Sequence, residues 1–151
     1  MVVGGIPHYL AQIDKGLSAT QAIERLAFSK NSFLFEEFDK LYATLFHNSE
    51  TCIQIVRIIT KHRYGVGQKE LFKYAPYLSS GGTLIKLLED LDSAGFIISF
   101  KPSWYKKKGI YYKVIDEYTL FHFYWIEPIK KNLLIRGLRS GYWEKTQNGL
   151  L

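Results

Sequence analysis

A mainly α fold with a small β-ribbon is predicted by three features of this 151-residue chain. Apolar residues recur three and four apart through most of it, the spacing of one face of an α-helix. Only Phe96–Lys101 and Ile110–Ile115 change to runs of β-formers, which read as two strands. Between them lies Pro102–Gly109, polar and rich in lysine, which suits a hairpin tip. Over Ser49–Asp116 the order is therefore three helices and then a ribbon. That order is the winged-helix arrangement, a module that grips nucleic acid or protein and seldom carries chemistry itself.

The chain divides by pattern into a helical subdomain (1–48), the winged helix (49–117) and a C-terminal helix with its tail (118–151). Pro7 suits a first helical position, where its missing N–H is one the helix leaves unpaired anyway. It opens a short helix, His8–Lys15, that stops near Gly16. Ser18 is a good N-cap for a helix over Ala19–Ser29, with Ala22, Ile23, Leu26 and Ala27 as its stripe. After a break at Asn31-Ser32, Phe35–Asn48 is a third helix. Its apolar face is Phe38, Leu41, Tyr42, Leu45 and Phe46.

Ser49 is placed to cap the next helix, which buries Cys52, Ile55, Val56 and Ile59 and ends at Tyr64-Gly65-Val66-Gly67. Gln68–Tyr74 is a short helix halted ahead of Pro76, because the residue before proline avoids helical backbone. Leu78–Gly82 is a turn. Thr83–Ser93 is the third helix of this part, with Leu84, Leu87, Leu88 and Leu91 inward and Gly95 as its stop. Asp116-Glu117 opens a last helix, Tyr118–Asn132, which Pro128 should kink or break. Its first residues include Tyr118, Phe121, Phe123, Tyr124 and Trp125. Rings on every side imply burial on more than one face, so self-association is expected.

The net charge of +6 and a pI near 9.3 suit contact with phosphates or with an acidic partner. The single cysteine, Cys52, excludes an internal disulfide and a cysteine-based zinc cage, and its apolar flank marks a buried thiol. No run approaches the roughly 18 apolar residues of a membrane span. MVVGGIPHYL has no basic region ahead of an apolar core, so it does not read as a signal peptide. A soluble cytoplasmic protein without membrane contact is expected.

No residue cluster amounts to a catalytic site. His8, His47, His62 and His122 are not spaced as metal ligands. The carboxylate pairs Glu36-Glu37 and Asp116-Glu117, and the run Glu89-Asp90-Asp92, suit caps and solvated faces. The chain lacks the phosphate-loop, nucleophile-elbow and dinucleotide-binding patterns. A non-enzymatic role is therefore expected.

For nucleic acid the signals are divided. A groove-reading helix needs donors on its open face. Here that face is Lys86, Glu89, Asp90 and Asp92, three of them acidic, which repels phosphates. The wing is the opposite: Lys101, Lys106, Lys107 and Lys108 with Trp104 and Tyr105 could rest on a backbone and stack. Lysines at a hairpin tip also serve simply to block edge pairing. Lys61, His62, Arg63, Lys69 and Lys73 form a second basic region. Non-specific DNA contact through the wing is thus the alternative to a protein partner.

Five stretches occur in an order that resembles a known family: GGIPHYLAQID, SATQAIERLAF, LFEEFDKLYATLF, LSSGGTLIKLLEDLDSAGFI and YYKVIDEYTLFHFYWIEPI. Together, over about Val2–Asn132, they are similar to the C-terminal half of archaeal-type AAA/STAND ATPases that carry a further tail domain. The resemblance implies that residues 1–48 are the helical lid of such an ATPase and 49–116 its winged helix. Gly5, Ile6 and Pro7 would match the Gly-x-Pro element whose proline packs on adenine. The phosphate loop and the magnesium carboxylate lie upstream of the matching part in that family. The chain thus reads as a fragment that holds no cofactor itself, with ATP or ADP expected only alongside the upstream ATPase domain.

Overall fold

Helices make up most of the residues described by the computed structural model, namely 16, 18–23, 33–78, 82–103 and 109–130. In chain order they are α1 (Ala19–Ile23), α2 (Phe33–Leu45), α3 (Ser49–Thr60), α4 (Gln68–Tyr74), α5 (Thr83–Ser93) and α6 (Glu117–Phe121). Three strands, β1 (Val66–Gly67), β2 (Ile97–Phe100) and β3 (Tyr111–Val114), form one antiparallel sheet in the order β1-β3-β2. The expected helix His8–Lys15, the second half of Ala19–Ser29 and the tip of the ribbon lie outside the described residues.

Local chemistry accounts for some of these boundaries. Ser18 closes a reciprocal cap on α1: its Oγ accepts the Gln21 N–H at 3.2 Å, and Gln21 Oε1 accepts the Ser18 N–H at 3.1 Å. The cap expected from Ser49 is not made. Ser49 is already helical, and Asn48 stands in the cap position without a side-chain hydrogen bond. α2 begins at Phe33 and stops at Leu45, earlier at both ends than its apolar pattern predicts.

α5 ends as its sequence requires. Gly95 takes φ +81, its N–H bonds the Asp92 carbonyl at 3.0 Å, and the Phe96 N–H reaches back to Leu91 at 3.0 Å. This paired closure satisfies two carbonyls that the helix leaves open, and it turns Phe96 into the core.

The ribbon has three strands rather than the two the sequence predicts. Val66 pairs with Tyr112 and Gly67 with Tyr111, on the edge of β3 opposite β2. Across the other edge, Ile97 faces Val114 and Ser99 faces Tyr112. Tyr112 and Val114 point inward and Lys113 outward, the alternation of a half-buried strand.

Asp116 caps α6, accepting the Thr119 N–H at 2.8 Å and its hydroxyl at 2.6 Å. Pro128 neither breaks nor ends the helix that follows. Residues His122–Ile126 widen into a π-type turn, in which the Glu127 N–H bonds to the His122 carbonyl, and helix continues through residue 130. A proline in a regular helix collides with the carbonyl four residues back. A wider turn just ahead of it moves that carbonyl aside.

The chain forms two compact units, Met1–Leu41 with Phe121–Leu151, and Tyr42–Leu120. In the first, the Phe38 ring stacks on His122 (3.6 Å between centroids, 6° between planes) and meets Phe123 edge-on at 5.3 Å. Lys130 pairs with Asp39 at 3.5 Å. In the second, Cys52, Ile55, Ile59, Leu71, Leu84, Leu88, Leu91 and Ile97 are buried, beside an aromatic cluster of Tyr42, Phe46 and Phe96. The Tyr42 hydroxyl lies 3.2 Å from Thr119 Oγ1. Because Thr119 donates its own proton to Asp116, Tyr42 is the donor in this chain of bonds.

Candidate interaction site

The leucines of α5 fix which way the helix faces. With Leu84, Leu87, Leu88 and Leu91 buried, Thr83, Ile85, Lys86, Glu89, Asp90 and Ser93 are left exposed. Asp92, expected on the same open face, is turned away from it. Its carboxylate accepts the Ser99 hydroxyl at 2.5 Å and the Ser99 N–H at 3.2 Å, tying the end of α5 to β2. Two carboxylates, Glu89 and Asp90, remain beside Lys86 on the exposed face.

Along this face runs an open groove of about 980 Å³. Leu45, Phe46 and His47 form one side, and Lys86, Leu87 and Asp90 form the other. Phe46 and Leu87 supply an apolar floor, with His47, Lys86 and Asp90 around it. Leu45, predicted on the inward face of α2, is 51% exposed at the groove because the helix stops there. No local pattern announces this groove, since its walls lie roughly forty residues apart in the chain. An apolar floor with charges of both signs suits a protein surface better than a polyanion, which needs an excess of cations.

Lys101 is exposed just beyond β2. Trp104, Lys106, Lys107 and Lys108 lie outside the described residues, as do Gly5, Ile6 and Pro7. Lys61, Arg63, Lys69 and Lys73 are all exposed, and His62 is half-buried. Tyr118, Phe121 and Phe123 are buried within the chain itself, while Tyr124 is 52% exposed. Among the described residues, no His, Cys, Asp and Glu side chains group as a metal-holding set of three or more, and no helix is long and apolar enough to cross a membrane.

Among the described residues, Cys52, Tyr42 and Tyr112 hold protons that burial makes harder to remove. Burial, and then the charge of Asp90, push the Cys52 thiol up from 9.0 to about 11. Burial likewise raises the Tyr42 and Tyr112 phenols above their ordinary 10.0. Each group holds its proton more tightly folded than unfolded. The stabilisation is therefore complete below pH 9.0 and is lost as pH rises through the folded values. Unfolding free energies from urea titrations should stay level up to about pH 9 and then fall, by at most about 1.4 kcal/mol per pH unit for each group. Cys52→Val should delay the start of that fall toward pH 10. An unfolding free energy that holds or rises from pH 9 to 11 would contradict these burial effects.

No family model, curated protein or solved structure matches the chain.

Proposed function

We propose that this chain is a non-catalytic interaction module that docks protein through the open face of α5 and the groove beside it. The observation that carries this is the mixed character of that face. Glu89 and Asp90 flank Lys86, and the half-exposed Leu45 borders an apolar floor. Laid against a duplex, two carboxylates and one ammonium give no net attraction to phosphates. Against a polypeptide, the same groups can pair at the rim while apolar side chains fill the floor.

The order α3-β1-α4-α5-β2-β3, with β3 between the other two strands, supports a winged helix as the scaffold. In that frame α5 is the helix that would otherwise read a groove. Derivation from the C-terminal part of an AAA/STAND ATP-binding protein rests on the five sequence stretches alone. It makes the docking surface a regulatory contact of a larger machine, and ATP or ADP a ligand of that machine.

A photo-crosslinking residue placed at Lys86 tests this. Irradiation in cells that express the chain should give an adduct that survives nuclease, is removed by protease, and is lost when Leu45→Asp disrupts the groove wall. The purified chain irradiated alone would show self-association directly, as an adduct of twice the mass. A nuclease-sensitive adduct, or none, would refute protein docking at this face.

A further inference from the structure

We infer that the surface formed by residues 61–74 is a second binding site, for single-stranded nucleic acid, sharing no residue with the groove on α5. Three observations converge on it. The first is charge. From Arg57 to Tyr74 the chain carries five basic residues, Arg57, Lys61, Arg63, Lys69 and Lys73, against one acid, Glu70. Lys61, Arg63, Lys69 and Lys73 are exposed. Lys69 and Lys73 stand one helical turn apart, so they project on the same side of α4.

The second is the rings among those charges. Tyr64 is 85% exposed and Tyr74 is 51% exposed. Each is held beside a nitrogen-bearing group: the Arg63 guanidinium lies 5.9 Å from the Tyr64 ring centre, and the His62 ring lies 5.4 Å from that of Tyr74. The contact between His62 and Tyr74 also joins the loop after α3 to the end of α4, so the two basic segments form one surface. The third is the packing of the loop. Gly65 adopts φ +97 and its Cα packs so close to the Phe100 ring that a Cβ would lie 2.8 Å from it. That anchors the residue next to Tyr64 on the sheet.

Cations interleaved with outward-facing rings form the surface that single strands use. The phosphates meet the cations, and the unpaired bases stack on the rings. A duplex keeps its base faces inside, so it would use the lysines and leave Tyr64 idle. An acidic peptide would do the same. The shared chemistry, phosphate with an open base face, occurs in both single-stranded DNA and single-stranded RNA.

The test is fluorescence anisotropy of the full chain with labelled 15-nucleotide oligo(dT) and oligo(U), at 50 and 150 mM salt. Both strands should bind, and an unlabelled duplex should compete poorly. Binding should weaken with salt along a slope of about −0.7 per phosphate contacted. Lys69→Glu with Lys73→Glu should weaken binding at least tenfold. Tyr64→Ala, at a position too exposed to matter for folding, should weaken it about fivefold or more. Lys40→Glu, the same charge change on α2, should leave it intact. Should the double variant melt early, Lys69→Gln with Lys73→Gln serves in its place. If only one of the two strands binds with these dependences, the site stands and its natural ligand is that strand. No binding at 50 mM salt would overturn the inference, as would binding indifferent to Tyr64. Equal competition by polyglutamate would also overturn it and make the surface a dock for acidic protein. None of these results bears on Leu45, Lys86 or Asp90, so failure here leaves protein docking at α5 standing.

Discussion

Tyr42→Ala should lower the unfolding free energy by about 3–5 kcal/mol, read as the shift in a urea midpoint. The ring is fully buried, and it packs against Phe46 at 5.6 Å and Phe96 at 4.9 Å between centroids. These two residues come from the end of α2 and from the turn after α5, so the ring joins elements far apart in sequence. Truncation would leave a cavity that rigid neighbours cannot collapse into. Tyr42→Phe should cost much less, about 1 kcal/mol, because it keeps the ring and removes the hydrogen bond to Thr119. Thr119 would still donate to Asp116, at 2.6 Å, so no buried donor is stranded. Equal losses for the two variants would mean that the hydroxyl network, and not ring packing, holds this end of the core.

Gly65→Ala should cost about 2–4 kcal/mol from two additive sources. Its φ of +97 places any L side chain in a strained conformation. The new methyl would also stand 2.8 Å from Phe100 Cζ and 3.3 Å from the Tyr112 carbonyl oxygen. Gly95 provides the internal control. Its φ is +81, but a Cβ there meets nothing within 4 Å, so Gly95→Ala should cost only about 1–2 kcal/mol. The difference between the two measures the close approach by itself. Phe100→Leu placed in the Gly65→Ala background should recover part of the loss. Matching losses at the two glycines would show that Phe100 yields freely.

Where neighbouring residues dictated the structure, the sequence was legible. The four leucines of α5 and the glycine after it define that helix as Thr83–Ser93, the predicted range. Gln68–Tyr74 followed in the same way from Gly67 before it and Pro76 after it. β1 was not legible: two residues cannot show a period of two, and Val66 and Gly67 are a strand only because β3 lies alongside. Asp92 and Leu45 were misplaced for a related reason. Periodicity gives the angle of a side chain around its helix, but not whether Ser99 waits beside it or the helix ends beneath it. The π-type turn before Pro128 is a compromise between proline sterics and the burial of Phe123 and Ile126 on either side of Tyr124, and no local rule chooses widening over breaking. The groove was invisible for the strongest reason, since it exists only where two distant segments meet.

The decisive measurement follows backbone amide signals of the isotope-labelled chain while a random-sequence duplex is added at 150 mM salt. If α5 is a protein-docking helix, the amides of Thr83–Ser93 should not move, whatever happens along residues 61–74. Saturable shifts centred on Thr83–Ser93, suppressed when Lys86→Ala is introduced, would show that the helix reads a duplex despite Glu89 and Asp90.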